Sequence, residues 1–286
     1  MALGINANVG GLGSANNAAK AQGMLNKALE KLSSGRALNK ASDGPANLII
    51  SEMLRSQLGG ISTTMRNAQE AFNVASIAEG GANEVNNLLS RARELAVRAS
   101  NGTNTPEQTA AYQDELDNIL GSIDRVADTT RFAGEELLDG STPTRDFQLG
   151  PDGDAAAVES LDFIDVRTSQ LGTAGGGDAL ETLRAGGAND LANDPGAALQ
   201  VIDQAISEVS AGRGEIGAFQ QNTLQSTMNN MAVALENVTA MESNIGDLDI
   251  AMGIIEQMRS QNLLQASLGA LKNSSFQQQS VLQLLG

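Results

Sequence analysis

A narrow apolar stripe at helical spacing runs through most of the chain between residues 46 and 100. Its apolar residues recur every three or four positions and comprise Leu54, Leu58, Ile61, Met65, Ala68, Phe72 and Ala75, then Val85, Leu88, Ala92 and Leu95. The pattern predicts one long helix after Pro45, with a soft break at Gly80-Gly81. Such a helix would be roughly 80 Å long. A helix of this length cannot be a globular domain by itself, so it needs helical partners.

Three prolines mark further helix starts. Pro45, Pro106 and Pro195 each follow residues that can cap a helix, and Thr105 to Gln108 fit a capping box. A first helix is predicted to end near Gly35, with a seam of steps of three and four through Ala18, Ala21, Leu25, Ala28 and Leu32, and with Leu29 on the same face. A shorter helix is predicted after Pro106.

Helical spacing returns from residue 195 to the end. A stripe through Leu224, Met228, Met231, Leu235 and Val238 slips in phase near 238–241, which predicts a junction between two rods there. Later the stripe moves to Leu264, Leu268 and Leu271. Between the helical halves, the Gly-rich region of about 140–195 alternates apolar and polar residues at 146–150 and 161–166, which predicts a small β-hairpin.

The composition excludes most chemistry. The chain has no His and no Cys, so it offers no imidazole base, no thiolate nucleophile and no ordinary zinc or haem site. We therefore expect no enzyme, no cofactor and no metal. Asp152-Gly153-Asp154 lacks the later ligands of a calcium loop, and Asp114, Glu115 and Asp117 fit a polar helix face better than a catalytic pair.

Charge argues against nucleic acid and membrane partners. The net charge of −16 would repel phosphates and anionic lipids, and no apolar run approaches the roughly 20 residues of a membrane span. The start of the chain lacks the basic and apolar regions of a secretory signal peptide, which taken alone predicts a cytoplasmic protein.

The distribution of charge suggests the domain limits. Residues 1–45 carry a net +3 and residues 243–286 a net −1, whereas the middle carries −18 and no Lys. We predict an inner domain of residues 1–45 plus 243–286 and a rod of residues 46–242 with the hairpin region. The predicted fold is mainly α, a long antiparallel helical bundle or coiled coil with a small β-hairpin region and both termini at one end.

Both halves of the chain contain several distinctive short strings, which are LSSGRALN at 32–39, AEGGANE at 78–84, RARELAV at 91–97, IDRV at 123–126, FAG at 132–134, RGEIGAFQ at 213–220 and SVLQLL at 280–285. Together these strings resemble bacterial flagellin. The resemblance implies a structural subunit that polymerises into the flagellar filament for motility, in a short form without large outer domains. Paired terminal helices would form the inner tube, with Leu25, Leu29, Leu32, Leu264, Leu268 and Leu271 in subunit packing.

The resemblance also implies partners and a location. The chain would be secreted through the flagellar type III export apparatus, with an export chaperone at its C-terminal region and contacts to cap and hook-junction proteins. The filament would be extracellular, or periplasmic in a spirochaete-like cell. Arg91, Leu95 and Glu115 match positions at which flagellins engage a Toll-like receptor, although Leu95 could instead pack in the rod. The alternatives are a hook-filament junction protein and a non-flagellar coiled-coil scaffold.

Overall fold

The computed structural model describes residues 9–173 and 176–285. These residues form α1 Val9–Ser34, α2 Pro45–Ala99, α3 Pro106–Thr129, β1 Arg131–Phe132, β2 Glu135–Glu136, β3 Thr144–Gln148, β4 Val158–Asp162, α4 Pro195–Ala218, α5 Gln225–Gly246 and α6 Ile250–Leu285. A π-helical turn, Phe219–Leu224, joins α4 to α5. The predicted fold class, mainly helical with long helices and a small β-hairpin, is confirmed.

The chain divides into two compact units. The terminal unit comprises Met1–Leu58 and Glu236–Gly286, and the central unit comprises Gly59–Leu235. The predicted domain limits at 45/46 and 242/243 separate the tube from the rod of a filament. This is a different division from that into compact units, so the predicted limits stay a prediction. Residues 1–8 of that predicted inner domain, residue 286 at its other end, and residues 174–175 of the hairpin region lie outside the described residues.

The helix starts follow the predicted caps. α2, α3 and α4 begin at Pro45, Pro106 and Pro195. Before α3, the Gln108 backbone N–H donates to Thr105 Oγ1 (3.3 Å) and the Thr105 N–H donates back to Gln108 Oε1 (2.9 Å). These bonds satisfy backbone groups that a helix N-terminus leaves without partners, so the capping box fixes the start of α3.

The long helix α2 is unbroken over its 55 residues, so the predicted soft break at Gly80-Gly81 is wrong. Gly80 faces open space, but a Cβ added at Gly81 would lie 2.7 Å from both Leu138 Cδ1 and Thr130 Oγ1. Gly81 therefore accommodates the close approach of the segment after α3 rather than ending the helix.

Small aliphatic side chains of α2 contribute one part of the core of the central unit. The alanines from Ala68 to Ala96 lie in it at 0% exposure, together with larger apolar residues of α3 and α4 such as Leu120 and Ile202. Three contacts show that α4 runs antiparallel to α2, since the partners on α4 descend as those on α2 rise: Arg93–Asp203 (2.6 Å), Asn86–Ser210 (3.3 Å) and Glu79–Arg213 (3.8 Å).

The predicted hairpin is formed by β3 and β4, which pair antiparallel with Phe147 opposite Glu159. Both strands begin two to three residues earlier than predicted, at 144–148 and 158–162 instead of 146–150 and 161–166. Its tip rests on α2, since a Cβ at Gly60 would lie 2.8 Å from the Pro151 carbonyl oxygen, and Asn67 Nδ2 donates to the Gln148 carbonyl (3.1 Å).

A second, shorter hairpin was not predicted. β1 pairs with β2 across Ala133 and Gly134, whose φ angles are 52° and 92°. Positive φ at both turn residues is typical of a type I′ turn, where Asn or Gly is the usual first residue. Because residue 133 is alanine, the sequence lacks the residue type that would have indicated this turn.

The segment between β4 and α4 is mostly irregular but buries several apolar side chains, such as Leu171 and Leu191, and Gln113 of α3 holds it in place. Its Nε2 donates to the Leu183 carbonyl (2.7 Å) and to Asp117 Oδ1 (2.9 Å), while its Oε1 accepts from the Leu191 N–H (2.8 Å). Gln113 itself is 6% exposed. One side chain thus satisfies two backbone groups of a segment that lacks regular hydrogen bonding.

The junction predicted at 238–241 is wrong, because α5 continues through those residues and ends at Gly246. The helical path is instead irregular at two other places, where the phase of the apolar stripe changes. In the π turn the buried residues Phe219 and Leu224 are five positions apart, which in an α-helix would place them on different faces. The second is the break at 247–249, before α6.

Candidate assembly surface

The helices α1 and α6 pack along a seam of small residues. Buried or half-buried positions recur at steps of three and four in both helices: Gly11, Ser14, Ala18, Ala21, Leu25, Ala28 and Leu32 in α1, and Gly253, Gln257, Ser260, Leu264, Ser267, Leu271 and Ser274 in α6. A Cβ at Gly253 would lie 3.0 Å from Leu32 Cδ2, so the C-terminal end of α1 packs against the start of α6. This is a coiled-coil spacing, but its seam buries little apolar surface.

Several large apolar side chains of these helices lie outside the seam and are exposed. Val9, Leu12, Ile250, Met252 and Phe276 are each more than 60% exposed. Among the described residues, 16 of the 20 exposed large apolar side chains belong to the terminal unit, although it is the smaller unit. Such a concentration of exposed apolar side chains in one unit is typical of an interaction surface.

A compact joint connects α1, α2, α5 and α6. The Ala37 N–H donates to the Gly246 carbonyl and the Leu248 N–H donates to the Gly35 carbonyl, both at 2.9 Å, so residues 35–37 pair antiparallel with residues 246–248. Gly35 ends α1 with a φ of 70°, where glycine is favoured. The break between α5 and α6 is therefore fixed by a partner far away in sequence.

Asp43 lies in the loop between α1 and α2 and binds this loop to α1. Its carboxylate pairs with Lys27 Nζ (2.7 Å) and accepts the backbone N–H groups of Asn39 (3.2 Å) and Lys40 (3.0 Å). The hydrogen bond from Lys27, followed by that from the Lys40 backbone, lowers the pKa of Asp43 to about 2. The same pair raises the pKa of Lys27.

The two units differ sharply in charge. The terminal unit has eight cationic and eight acidic side chains, whereas the central unit has ten arginines, no lysine and 26 acidic side chains, which is the whole net charge of −16. Copies of a neutral surface can approach closely without the repulsion that accumulates between like-charged copies.

The predicted packing leucines fall into two groups. Leu25, Leu32, Leu264 and Leu271 are half-buried in the α1–α6 seam. Leu29 and Leu268 lie outside it and are 45% and 46% exposed. Their role in subunit packing stays a prediction, but the second pair is free in this chain to contact a neighbour.

The predicted receptor residues do not share one surface. Leu95 is 4% exposed and belongs to the core of the central unit, so its side chain packs in the rod. Arg91 is exposed and Glu115 is half-buried, and the two pair with each other, with Arg91 Nη2 2.5 Å from Glu115 Oε1. Only these two side chains can reach a partner.

Other candidate sites find no support in the described part of the chain. No group of three or more acidic side chains there is placed to hold a metal ion. Asp154 caps a local turn by accepting the Ala156 N–H (3.2 Å), and Gly153 has a φ of 67°. Over residues 9–173 and 176–285, no helix combines the length and apolar character needed to cross a membrane.

Comparison with protein families finds two matches. Residues 5–142 match the bacterial flagellin N-terminal helical region, and residues 199–285 match the bacterial flagellin C-terminal helical region. The stretch between the two matches contains β3, β4 and the segment between β4 and α4.

Similar proteins agree with these matches. A flagellin of Halalkalibacterium halodurans is 39% identical over 91% of this chain and 91% of its own length, and a flagellin of Bacillus subtilis is 35% identical over 98% of this chain and 99% of its own length. A solved structure described as a putative flagellar hook-associated protein from Vibrio parahaemolyticus has a TM-score of 0.60 at 17% identity. It covers 72% of this chain and 100% of that chain, and at this identity the likeness concerns the fold alone.

Proposed function

Since the chain belongs to the bacterial flagellin family and is a structural subunit of the flagellar filament, we propose that the outward faces of α1 and α6 join the subunits. The observation that carries the proposal is the concentration of exposed apolar side chains in the terminal unit. Subunits joined by a rotation and rise that do not close give a helical filament.

The composition of the α1–α6 seam supports this assignment. Glycine, alanine and serine allow the two helices to approach but leave little apolar area between them. The exposed residues of α6 include Ile255 and Met258, and between residues 250 and 285 its only charged residues are Glu256, Arg259 and Lys272. A helix that is apolar on several faces gains most of its stability from neighbours that cover those faces.

It follows that the terminal helices should become stable only on assembly. Residues 1–45 and 243–286 are expected to be disordered in monomers and ordered in filaments. Limited proteolysis of monomer should leave a core of roughly residues 46–242. Equal protection of both ends in a verified monomer would contradict this mechanism.

Leu268 provides a direct test of the surface. Burying its exposed half should contribute about 1 kcal/mol per subunit. A carboxylate at the same place would instead add a desolvation penalty on the order of several kcal/mol. We expect Leu268→Asp to prevent seeded filament growth, measured by light scattering and electron microscopy.

The matched control is Gln265→Asp, which places the same charge on an exposed polar position of α6. It should reduce growth far less than Leu268→Asp. Normal filaments from Leu268→Asp would show that this face is not covered. Because the test starts from purified protein and preformed seeds, it also distinguishes a filament subunit from the junction-protein and scaffold alternatives, which would not form long filaments alone.

Family membership supports the rest of the proposed pathway. The subunit would leave the cell through the flagellar export apparatus, with a chaperone bound at its C-terminal region, and meet cap and hook-junction proteins at the filament ends. A terminal unit with few buried large side chains would unfold easily for export. Loss of secretion on truncating α6 in the cell, with the protein still produced, would support this route.

Receptor recognition rests on Arg91 and Glu115 alone. Both side chains reach solvent, and an ion pair at the surface contributes little stability, so it can be broken to make new contacts. If Arg91 is central to such an interface, Arg91→Ala should weaken binding of monomer to a Toll-like receptor ectodomain by about 2 kcal/mol. The control is Arg66→Ala, an exposed arginine elsewhere on α2. Equal affinities of the two variants would remove the assignment.

A further inference from the structure

The loop between α2 and α3 contains a chemically reactive pair. Residues 100–105 connect the two helices, and Asn101 is followed there by Gly102, the one Asn-Gly pair in the sequence. We propose that Asn101 is a site of spontaneous deamidation, in which the chain modifies itself without an enzyme.

The reaction needs only the chain and water. The backbone nitrogen of Gly102, after losing its proton to base, attacks Asn101 Cγ, a new C–N bond closes a five-membered succinimide ring, and the side-chain nitrogen takes up a proton and leaves as ammonia. Water then opens the ring at either carbonyl, giving an aspartate or an isoaspartate. The overall change replaces an amide by a carboxylate and adds one negative charge.

The attacking nitrogen is free in this structure. Within a helix, the N–H that follows an asparagine is bound to a carbonyl four residues earlier, which prevents attack. Gly102 lies outside both helices and is exposed, and its N–H has no hydrogen-bond partner among the described residues. Apart from its chain neighbours, no atom lies within 4 Å of where a Cβ of Gly102 would be, so the residue is not packed against the rest of the unit.

The side-chain amide that is attacked, that of Asn101, is also held in place by hydrogen bonds. Asn101 Oδ1 accepts the Thr103 N–H (3.3 Å), and the Asn101 N–H donates to the Arg98 carbonyl (3.2 Å). A donor on Oδ1 stabilises the negative charge that develops there during attack, as backbone donors do in oxyanion holes. The loop therefore holds the side-chain amide while it leaves the neighbouring nitrogen free.

The same loop contains an internal control, Asn104. Its Nδ2 donates to the carbonyls of Arg98 (2.6 Å) and Ala99 (3.2 Å). The next backbone nitrogen, that of Thr105, donates to Gln108 Oε1 (2.9 Å). Asn104 should therefore remain intact while Asn101 reacts.

Modification would change the end of α2. A new carboxylate three residues after Arg98 lies at the C-terminal end of the helix dipole, where negative charge is unfavourable. An isoaspartate also lengthens the main chain, which disturbs the bond from the Asn104 N–H to the Asn101 carbonyl (3.1 Å). This consequence rests on the proposed function, because an exported subunit is not replaced and would accumulate the change.

The test follows purified monomer during incubation at neutral and mildly alkaline pH, with a second arm on filaments. Trypsin releases residues 99–125, which contain Asn101, Asn104 and the helical Asn118, and mass spectrometry locates the modification. We expect deamidation at Asn101 alone, faster at higher pH. Gly102→Ala should slow it and Asn101→Gln should abolish it, with the helix content unchanged by circular dichroism.

Deamidation of Asn104 or Asn118 as fast as Asn101, or an unchanged rate in Gly102→Ala, would overturn the proposal. The monomer arm gives its answer whether or not the protein polymerises. Failure of the filament proposal and failure of this inference are therefore distinguishable.

Discussion

Replacing Gly81 by alanine should destabilise the central unit, although alanine is the better helix former. The added Cβ would lie 2.7 Å from Leu138 Cδ1 and from Thr130 Oγ1, against the 3.5–4.0 Å, roughly, of normal contacts between carbon atoms. Leu138 is fully buried and Thr130 Oγ1 donates to the Val126 carbonyl (2.7 Å), so neither neighbour moves freely. Overpacking of this kind costs about 1–3 kcal/mol.

Gly80 supplies the matched control in the same helix. It faces open space, so Gly80→Ala should stabilise α2 by about 1 kcal/mol. The same propensity gain partly offsets the clash in Gly81→Ala, which leaves a net loss of up to about 2 kcal/mol. The two variants should therefore differ by about 1–3 kcal/mol, which for a unit of this size is a difference of roughly 2–12 °C in melting temperature. Thermal unfolding of monomers by circular dichroism measures this difference, and equal stabilisation by both substitutions would refute the close approach at Gly81.

Three further outcomes follow from other contacts. Gln113→Leu should lower the free energy of unfolding by about 2–6 kcal/mol, because two buried backbone groups lose their partners. The control is Gln225→Leu at an exposed position, which should change the free energy of unfolding little in the same denaturant titration. The stability that the Asp43 carboxylate contributes should be present above its usual pKa of 3.8 and lost as pH falls towards about 2. Filaments of Asp43→Asn lack this contribution, so they should be less stable than the original at neutral pH, and their disassembly should depend less steeply on pH in acid. Deleting Gln221 should convert the π turn into a regular α-helix with little loss of stability, whereas deleting Asn229 should misalign the buried face of α5 and lower the melting temperature.

Features set by neighbouring residues could be predicted from the sequence. The capping box at Thr105, the helix starts at Pro45 and Pro195, and the spacing of the α1 seam all depend on contacts within one or two helical turns. The strands β3 and β4 also follow from local alternation of apolar and polar residues. These signals are short in range, so each could be read without knowing the rest of the fold.

Features set by partners far away in the sequence could not be predicted from it. Leu248 continues the apolar pattern of α5, yet the helix ends before it because residues 35–37 pair with residues 246–248. Gln113 resembles any polar residue of a helix surface, and only the folded chain shows that it is buried. Leu29 and Leu268 carry the same apolar signal as the seam residues, but their positions leave them outside it.

The small-residue seam between α1 and α6 bears on how filaments begin as well as on how they hold together. A pair of helices that gains little from its own contact must be ordered by several neighbours at once, so a first cluster of subunits loses conformational entropy before enough neighbours are present to compensate. An existing filament end already presents those neighbours, and a subunit that arrives there orders its helices in one step. Elongation would then outpace nucleation, and the number of filaments would be set by the number of starting structures rather than by the concentration of subunits.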